Sequence, residues 1–171
     1  MASGDDPERL SFQGFALAAF LDEILPPATV SLGCMSKGRY ALRRTFQIEN
    51  RRKQAGLDLA FWDAHTGQEH PVTTLSGGES FCAVLALALG LAEVVQRHSG
   101  GTRLDAIFVD EGFGSLDPES LELALETLVE FQSGGRLVGL ISHVPELRER
   151  IDTRIEVLPG RGGSVLRFVH V

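Results

Sequence analysis

Two adjacent carboxylates, Asp110 and Glu111, directly follow the apolar run Ile107-Phe108-Val109. Parallel α/β sheets bind ligands at the carboxyl ends of their strands, and neighbouring carboxylates are costly to desolvate unless they have a role there. In nucleotide hydrolysis, the first of such a pair helps to hold Mg²⁺ and the second polarises the attacking water. The pair alone is equally compatible with a structural explanation, in which both carboxylates cap a turn.

A serine and two glycines, Ser76, Gly77 and Gly78, stand just before a long apolar stretch with helical spacing. The glycines allow a ligand to approach the backbone, Ser76 offers a hydroxyl, and the start of a helix presents free N–H groups. Together they predict an anion site of the kind that holds a phosphate. The alternative is a flexible turn in which Ser76 only caps the helix.

Two more polar residues follow in the same order along the chain. Asp117 lies seven residues after Asp110, where it either caps the next helix or belongs to the site. His143 ends the next apolar strand, so we expect it in the same row as Asp110 and Glu111. A lone histidine is more often structural, but an imidazole there could reach a terminal phosphate or the attacking water.

The elements that must position these residues alternate between helix and strand, which indicates an α/β fold with parallel strands flanked by helices. A capped start at Asp5-Asp6-Pro7 opens a first helix that we expect to end at Pro26-Pro27. Alternating apolar residues predict a small antiparallel part at the N-terminal side. The predicted helices are 80–97, 118–131 and 145–150, the apolar strands 104–109 (buried on both faces) and 137–141, and the hairpin strands 40–48 with 57–61 and 155–158 with 165–169.

The net charge of −7 argues against a simple nucleic-acid binder. One segment is basic nevertheless, with Glu49 as its only acid; it contains Lys37, Arg39, Arg43, Arg44, Arg51, Arg52 and Lys53. These residues either line the open face of a solvated strand pair or contact a phosphate backbone. Cys34 and Cys82 lack metal-ligand spacing, which fits a reduced, cytoplasmic setting. The apolar run 81–95 is interrupted and too short for a membrane span.

The order of the motifs resembles the second half of an ABC-type ATPase head: signature motif (LSGGE), Walker B (strand ending in DE), D-loop (SLD) and switch histidine (SH). The stretches TLSGGESFCAVLALALGLAEVVQ, FVDEGFGSLDPESLELALETL and GLISHVPELRERI resemble the SbcC family of DNA-repair ATPases. MSKGRYALRR is similar to the segment that leads from that family's coiled coil back into the head. The resemblance extends from about Phe15 to Val157. It implies an N-terminal helix after a coiled-coil junction (1–27) and a C-terminal ABC ATPase lobe (28–171).

The resemblance also implies a role for each matching residue. Ser76, Gly77 and Gly78 would contact the γ-phosphate of ATP bound to the opposite head, and Asp117 would couple the two heads. Asp110 would assist Mg²⁺, Glu111 would be the catalytic base, and His143 would sense the γ-phosphate. Implied DNA contacts are Arg39, Arg43, Arg44, Arg51, Arg52 and Lys53. Implied partners are an N-terminal lobe, a second head, an SbcD-type nuclease subunit and double-stranded DNA, with no membrane.

The phosphate-binding loop G-x-x-x-x-G-K-[ST] does not occur in the sequence, nor does a heptad run or a CxxC. ATP and Mg²⁺ binding would therefore require the N-terminal lobe. We expect an ATPase subunit of an ATP-dependent DNA exonuclease whose present segment hydrolyses ATP negligibly alone and regains activity when mixed with that lobe. The alternatives are a non-enzymatic interaction lobe and, on weaker grounds, a fragment of a transporter's nucleotide-binding domain.

Overall fold

The computed structural model describes residues 12–45, 58–98, 100, 104–160 and 162–170. Within them, helices and strands alternate over residues 77–150 as the sequence predicts, and short 3₁₀ turns at Val72–Thr74 and Phe113–Ser115 precede α2 and α3. The elements are α1 Phe12–Met35, β1 Tyr40–Thr45, β2 Asp58–Asp63, β3 Gln68–Pro71, α2 Gly77–His98, β4 Ala106–Asp110, α3 Pro118–Ser133, β5 Leu137–Ile141, α4 Pro145–Arg150, β6 Thr153–Gly160 and β7 Gly163–His170.

The described strands form three small sheets. Strands β1, β2 and β3 make an antiparallel sheet, β4 and β5 pair in parallel, and β6 and β7 form an antiparallel hairpin. This confirms an α/β fold with a small antiparallel part. β3 is an addition that the sequence patterns did not predict, and residues 46–57, where the connection between β1 and β2 falls, lie outside the described residues.

The core lies where α1, α2 and α3 meet, and α1 approaches α2 closely at Gly90. A Cβ on Gly90 would lie 2.8 Å from the carbonyl oxygen of Ile24 and 2.9 Å from the backbone nitrogen of Ala28. Only glycine leaves room for the α1 backbone at this distance. Leu32, Val94 and Phe113 are the largest fully buried side chains of this core.

The predicted end of the first helix at Pro26-Pro27 is wrong, because α1 continues through both prolines to Met35. Each proline removes one helical hydrogen bond and crowds the preceding turn. That cost is offset by packing, since Ala28 directly after them is fully buried against α2. The helix therefore crosses the predicted boundary at residue 27, with Ile24 before it and Leu32 after it in the same core.

The expectation that strand 104–109 is buried on both faces is also wrong. Ile107 and Val109 pack against the core, whereas Phe108 points the other way and is 66% exposed. On the neighbouring strand, Leu137 and Ile141 are exposed as well. Helices of the described chain thus cover one face of the β4–β5 sheet and leave an apolar face open.

Two helices, Gly14–Met35 and Gly77–His98, are long and apolar enough to match the composition of a membrane span. Core helices of proteins outside membranes match that composition too. Here the close contact at Gly90 buries the facing sides of both helices against each other. Their apolar character is accounted for by this packing. The helix Gly77–His98 is longer than the predicted apolar run 81–95, which is itself too short for a span.

Candidate functional site

The acidic pair stands where β4 ends and the chain turns sharply. Glu111 extends the parallel pairing by one bond, since its backbone N–H donates to the carbonyl of Ile141 over 2.8 Å. Its φ of 60° lies in the left-handed region, which costs a non-glycine residue free energy and is seen where neighbouring structure imposes it. Gly112 follows with φ of 96°. The two residues turn the chain at the edge of the sheet and leave the carboxylates of Asp110 and Glu111 exposed.

His143 contacts Glu111, as the order of the strands predicts. The Nδ1 atom of His143 lies 2.9 Å from Oε2 and 3.2 Å from Oε1 of Glu111. Both side chains are open to solvent, with 81% of the imidazole and 52% of the carboxylate exposed. A carboxylate that fixes an imidazole at this distance forms a pair that can hold and polarise a water molecule.

The turn before α2 is closed by a reciprocal capping arrangement. The N–H of Glu79 donates to Oγ of Ser76 over 3.3 Å, and the N–H of Ser76 donates to Oε2 of Glu79 over 2.9 Å. Helix α2 consequently starts at Gly77, three residues before the predicted start. Ser76 does cap the helix, and its side chain is exposed at the start of α2. The first N–H groups of the helix have no partner within it, so an anion can still bind at this end.

Helix α2 packs directly on the turn that follows the acidic pair. A Cβ on Gly78 would lie 2.8 Å from the carbonyl oxygen of Ser115, and one on Gly112 would lie 2.2 Å from the ring of Phe81. Phe81 in turn meets Phe113 edge to face, with ring centroids 4.9 Å apart. The sequence alone did not single out Phe81 as part of the site. The features that could have indicated it are an aromatic residue five positions after Ser76 and the glycine that follows Glu111, which leaves room for a ring. The two motifs therefore form one packed unit.

Asp117 caps α3. Its Oδ1 accepts hydrogen bonds from the N–H groups of Glu119 and Ser120, each over 3.0 Å, and its Oδ2 accepts from the Ser120 hydroxyl over 2.6 Å. These bonds, above all the one from the Ser120 hydroxyl, hold the pKa of Asp117 below its usual value. Asp117 also lines, with Ser76, a cavity of about 340 Å³ between the end of α1 and the starts of α2 and α3. The structure thus brings Asp117 to the same cavity as Ser76.

The predicted basic surface is only partly described, because Arg51, Arg52 and Lys53 lie outside the described residues. Arg39 pairs with Asp63, and Arg44 lies 2.9 Å from Oδ2 of Asp22 on α1. Arg43 is on the opposite side of β1 from Arg44 and stacks 4.6 Å above the Trp62 ring. The structure therefore does not bring Arg39, Arg43 and Arg44 together as one face.

Asp110 is the residue that the sequence predicts to assist a Mg²⁺ ion. Within the described ranges, no group of three or more His, Cys, Asp and Glu side chains is arranged to hold a metal ion. A single exposed carboxylate suits Mg²⁺ that is bound mainly through nucleotide phosphates and water, which is the usual arrangement in nucleotide hydrolases. Asp110, at the end of β4, is compatible with that role.

The arrangement of helices and sheets is that of SMC-type ATPase heads. The SMC head domain from Thermotoga maritima superposes with a TM-score of 0.59 at 18% identity, covering 93% of this chain and 52% of that one. An SMC head from Pyrococcus furiosus, solved with an extended coiled coil and the C-terminal domain of ScpA, gives 0.63 at 16% identity over 88% of this chain and 35% of that one. A structure from work on ATP-driven dimerization and DNA-stimulated activation of SMC ATPases gives a TM-score of 0.66 at 17% identity. The match covers 91% of this chain and 88% of that one. The chain thus shares the fold of SMC head domains.

Sequence comparison identifies the family to which the chain belongs. The family model described as "SbcC/RAD50-like, Walker B motif" matches residues 39–130, more than half of the chain. The SbcC subunit of the SbcCD nuclease from Vibrio cholerae is 51% identical over 169 residues, and that from Staphylococcus saprophyticus is 46% identical over 166. The matches cover 99% and 97% of this chain but only 17% and 16% of those relatives. The chain belongs to the SbcC/RAD50-like family and spans about one sixth of the length of these relatives.

Proposed function

We propose that this chain is the C-terminal lobe of the ATP-hydrolysing head of an SbcC-type DNA-repair ATPase. The observation that carries the proposal is the contact between Glu111 and His143 at the end of β4, 2.9 Å between Nδ1 and Oε2. It joins the two groups that ATP hydrolysis requires of this lobe. The packing of α2 on the following turn, at Gly78 and Gly112, supports it by placing the candidate phosphate-binding turn in the same unit.

Each residue of the site has a separate task in this proposal. Glu111 accepts a proton from the attacking water, and His143 orients that water and meets the terminal phosphate. Asp110 assists Mg²⁺. The turn of Ser76, Gly77 and Gly78 binds the γ-phosphate of ATP held by a second head through its hydroxyl and backbone N–H groups, and Asp117 borders the cavity next to it.

The proposal requires a second lobe that carries the phosphate-binding loop, and the structure has an open surface of the right kind for it. Phe108, Leu137 and Ile141 expose apolar side chains on the outer face of the β4–β5 sheet. Ile155, Val157, Leu166 and Phe168 do the same on one face of the β6–β7 hairpin, each at least 57% exposed. Exposed apolar surface of this extent marks an interaction site, and parallel strands are normally covered on both faces. The N-terminal lobe is the proposed cover.

The test compares the isolated chain with a mixture of chain and N-terminal lobe. We expect negligible ATP hydrolysis by the chain alone and restored hydrolysis in the mixture. Glu111→Gln in the mixture should preserve ATP binding and ATP-dependent dimerisation while turnover falls by about 10²-fold or more. Hydrolysis by the isolated chain that Glu111→Gln abolishes would contradict the need for a second lobe. Loss of ATP binding in that variant would assign Glu111 another role.

The wider setting of the proposal comes from the relatives, which are named as subunits of the SbcCD nuclease. The complete head would form an ATP-dependent dimer and act with an SbcD-type nuclease subunit on double-stranded DNA in the cytoplasm. The nuclease chemistry would belong to that partner. Of the proposed DNA contacts, Arg43 keeps its guanidinium on the face of β1 away from Arg44, over Trp62.

A further inference from the structure

Glu79 has a second set of partners besides the capping bonds with Ser76. Its Oε1 accepts a short hydrogen bond from the hydroxyl of Tyr40, and Nη1 of Arg39 lies 4.0 Å from the same oxygen. Both carboxylate oxygens are therefore engaged, one by the α2 turn and one by the start of β1. The side chain that closes the turn around Ser76 is thus also fixed by residues about forty positions earlier in the chain.

The two residues that hold Glu79 are themselves held in place. Arg39 donates two hydrogen bonds to Asp63, from Nε over 3.2 Å and from Nη2 over 2.9 Å. Asp63 is almost fully buried and also accepts from the N–H of His65. The guanidinium lies 4.6 Å above the Tyr40 ring, and that ring meets Phe61 edge to face. Bidentate pairs and stacked rings of this kind have little rotational freedom.

The protonation states suit a hydroxyl that donates to a carboxylate. Burial, together with the bond to Glu79, raises the pKa of Tyr40 far above its usual value, so Tyr40 keeps its proton. Burial of Glu79 acts to raise its pKa, but the hydrogen bonds from Tyr40 and Ser76 and the charge of Arg39 outweigh it and leave the pKa lowered. Glu79 is therefore an ionised acceptor.

Capping of α2 does not by itself require these partners, because the reciprocal bonds between Ser76 and Glu79 already close the turn before the helix. A phenylalanine at position 40 would pack equally well against Phe61. The extra hydroxyl and the guanidinium instead restrict the rotamer of Glu79, and the Ser76 hydroxyl moves with it. We propose that Tyr40, supported by Arg39, is a positioning residue that fixes Ser76 for contact with the γ-phosphate of a second head. This inference rests on the proposed function of Ser76.

The consequence is that the β1–β2–β3 sheet and the candidate signature turn move as one. A displacement of β1 shifts Tyr40, then Glu79, then Ser76. A structural role alone would affect the stability of the chain. A positioning role would affect the ATP-dependent contact between heads and spare nucleotide binding within one head, because the phosphate-binding loop is on the other lobe.

The experiment uses heads reconstituted from this chain and the N-terminal lobe, in a Glu111→Gln background that traps dimers. Tyr40→Phe removes only the hydroxyl. We expect it to weaken ATP-dependent dimerisation, followed by sedimentation, by about 10- to 100-fold, the effect of losing one hydrogen bond to a charged group. The affinity of a single head for a fluorescent ATP analogue should not change. In a Glu79→Ala background, which leaves the Tyr40 hydroxyl no acceptor at position 79, Tyr40→Phe should have no further effect.

Thr29→Val is the matched control. Thr29 on α1 exchanges hydrogen bonds with the N–H and carbonyl of Leu42, on the same strand as Tyr40, and does not contact Glu79. The Thr29→Val substitution should lower the melting temperature of the chain and leave ATP-dependent dimerisation unchanged. If Tyr40→Phe acts like Thr29→Val, the inference is wrong. Ser76→Ala distinguishes a failure of this inference from a failure of the proposed function of Ser76. If Ser76→Ala weakens dimerisation and Tyr40→Phe does not, only the inference is wrong. If Ser76→Ala leaves dimerisation unchanged, the proposed function of Ser76 is wrong, and the inference with it.

Discussion

A methyl group at position 112 probes how tightly α2 is packed on the turn after Glu111. Gly112 has φ of 96°, where an L-amino acid loses about 1–2 kcal/mol relative to glycine. The new Cβ would also lie 2.2 Å from Cδ2 and Cε2 of Phe81. That ring is half-buried against Phe113 and must shift, which costs about 1–3 kcal/mol in a packed core. We therefore expect Gly112→Ala to lower the free energy of unfolding by about 2–5 kcal/mol.

Gly67 offers a control for the backbone contribution. Its φ is 65°, and a Cβ there would meet nothing within 4 Å. Gly67→Ala should therefore cost only the strain, about 1–2 kcal/mol. Both variants are measured by urea unfolding of the chain, and the clash with Phe81 should make Gly112→Ala the more costly of the two.

A double-mutant cycle tests the cause directly. In a Phe81→Ala background the ring is gone, so Gly112→Ala should cost only the backbone strain. The coupling free energy between positions 81 and 112 should then be about 1–3 kcal/mol. Equal costs of Gly112→Ala with and without the ring would refute the packing argument. Equal costs of Gly112→Ala and Gly67→Ala in the otherwise unchanged chain would refute it as well.

Four further outcomes are expected. His143→Ala should reduce turnover of the reconstituted head by about 10²-fold in a steady-state ATPase assay while the melting temperature stays constant, because the imidazole is exposed; a lower melting temperature with normal turnover would contradict this. The hydrogen bonds from Arg39 lower the pKa of Asp63 to about 2, below the value of about 4 in an unfolded chain. The unfolded chain therefore takes up a proton first, so the stabilisation present above pH 4 should be lost as pH falls towards 2, and Asp63→Asn should flatten that dependence in urea titrations. A thiol reagent should modify exposed Cys34 quickly and Cys82 only on unfolding, since burial raises the pKa of Cys82 to about 11; equal rates would count against the burial. Arg43→Gln should reduce the salt slope of DNA binding by the assembled complex by about 0.9, and an unchanged slope would remove Arg43 from the proposed contacts.

Local signals predicted the elements that carry the site. Asp117 followed by Pro118 marks the start of α3, and Pro145 marks that of α4, because caps and prolines act on the first turn of a helix. β5 was predicted with the observed bounds, Leu137–Ile141, since an apolar run between turn residues reads as a strand. Parallel pairing of β4 and β5 then places Glu111 beside His143.

Features that depend on distant parts of the chain were beyond such signals. Pro26 and Pro27 stop a helix by local rules, and only packing on α2 explains why α1 continues. The open face at Phe108 could not be predicted from an apolar run, because periodicity does not say what covers a strand. The hydrogen bond between Tyr40 and Glu79 joins a strand residue and a helix residue 39 positions apart. The alternating pattern of β1 therefore does not predict it.

The open strands have a consequence for how the head is made in a cell. Among the described residues, β4 and β5 pair only with each other, so each leaves an outer edge with unpaired N–H and carbonyl groups beside exposed apolar side chains. Such edges recruit further strands and lead to aggregation when nothing covers them. If the proposed N-terminal lobe covers them, production of the two lobes in matched amounts, or as one polypeptide, would keep these edges from meeting each other.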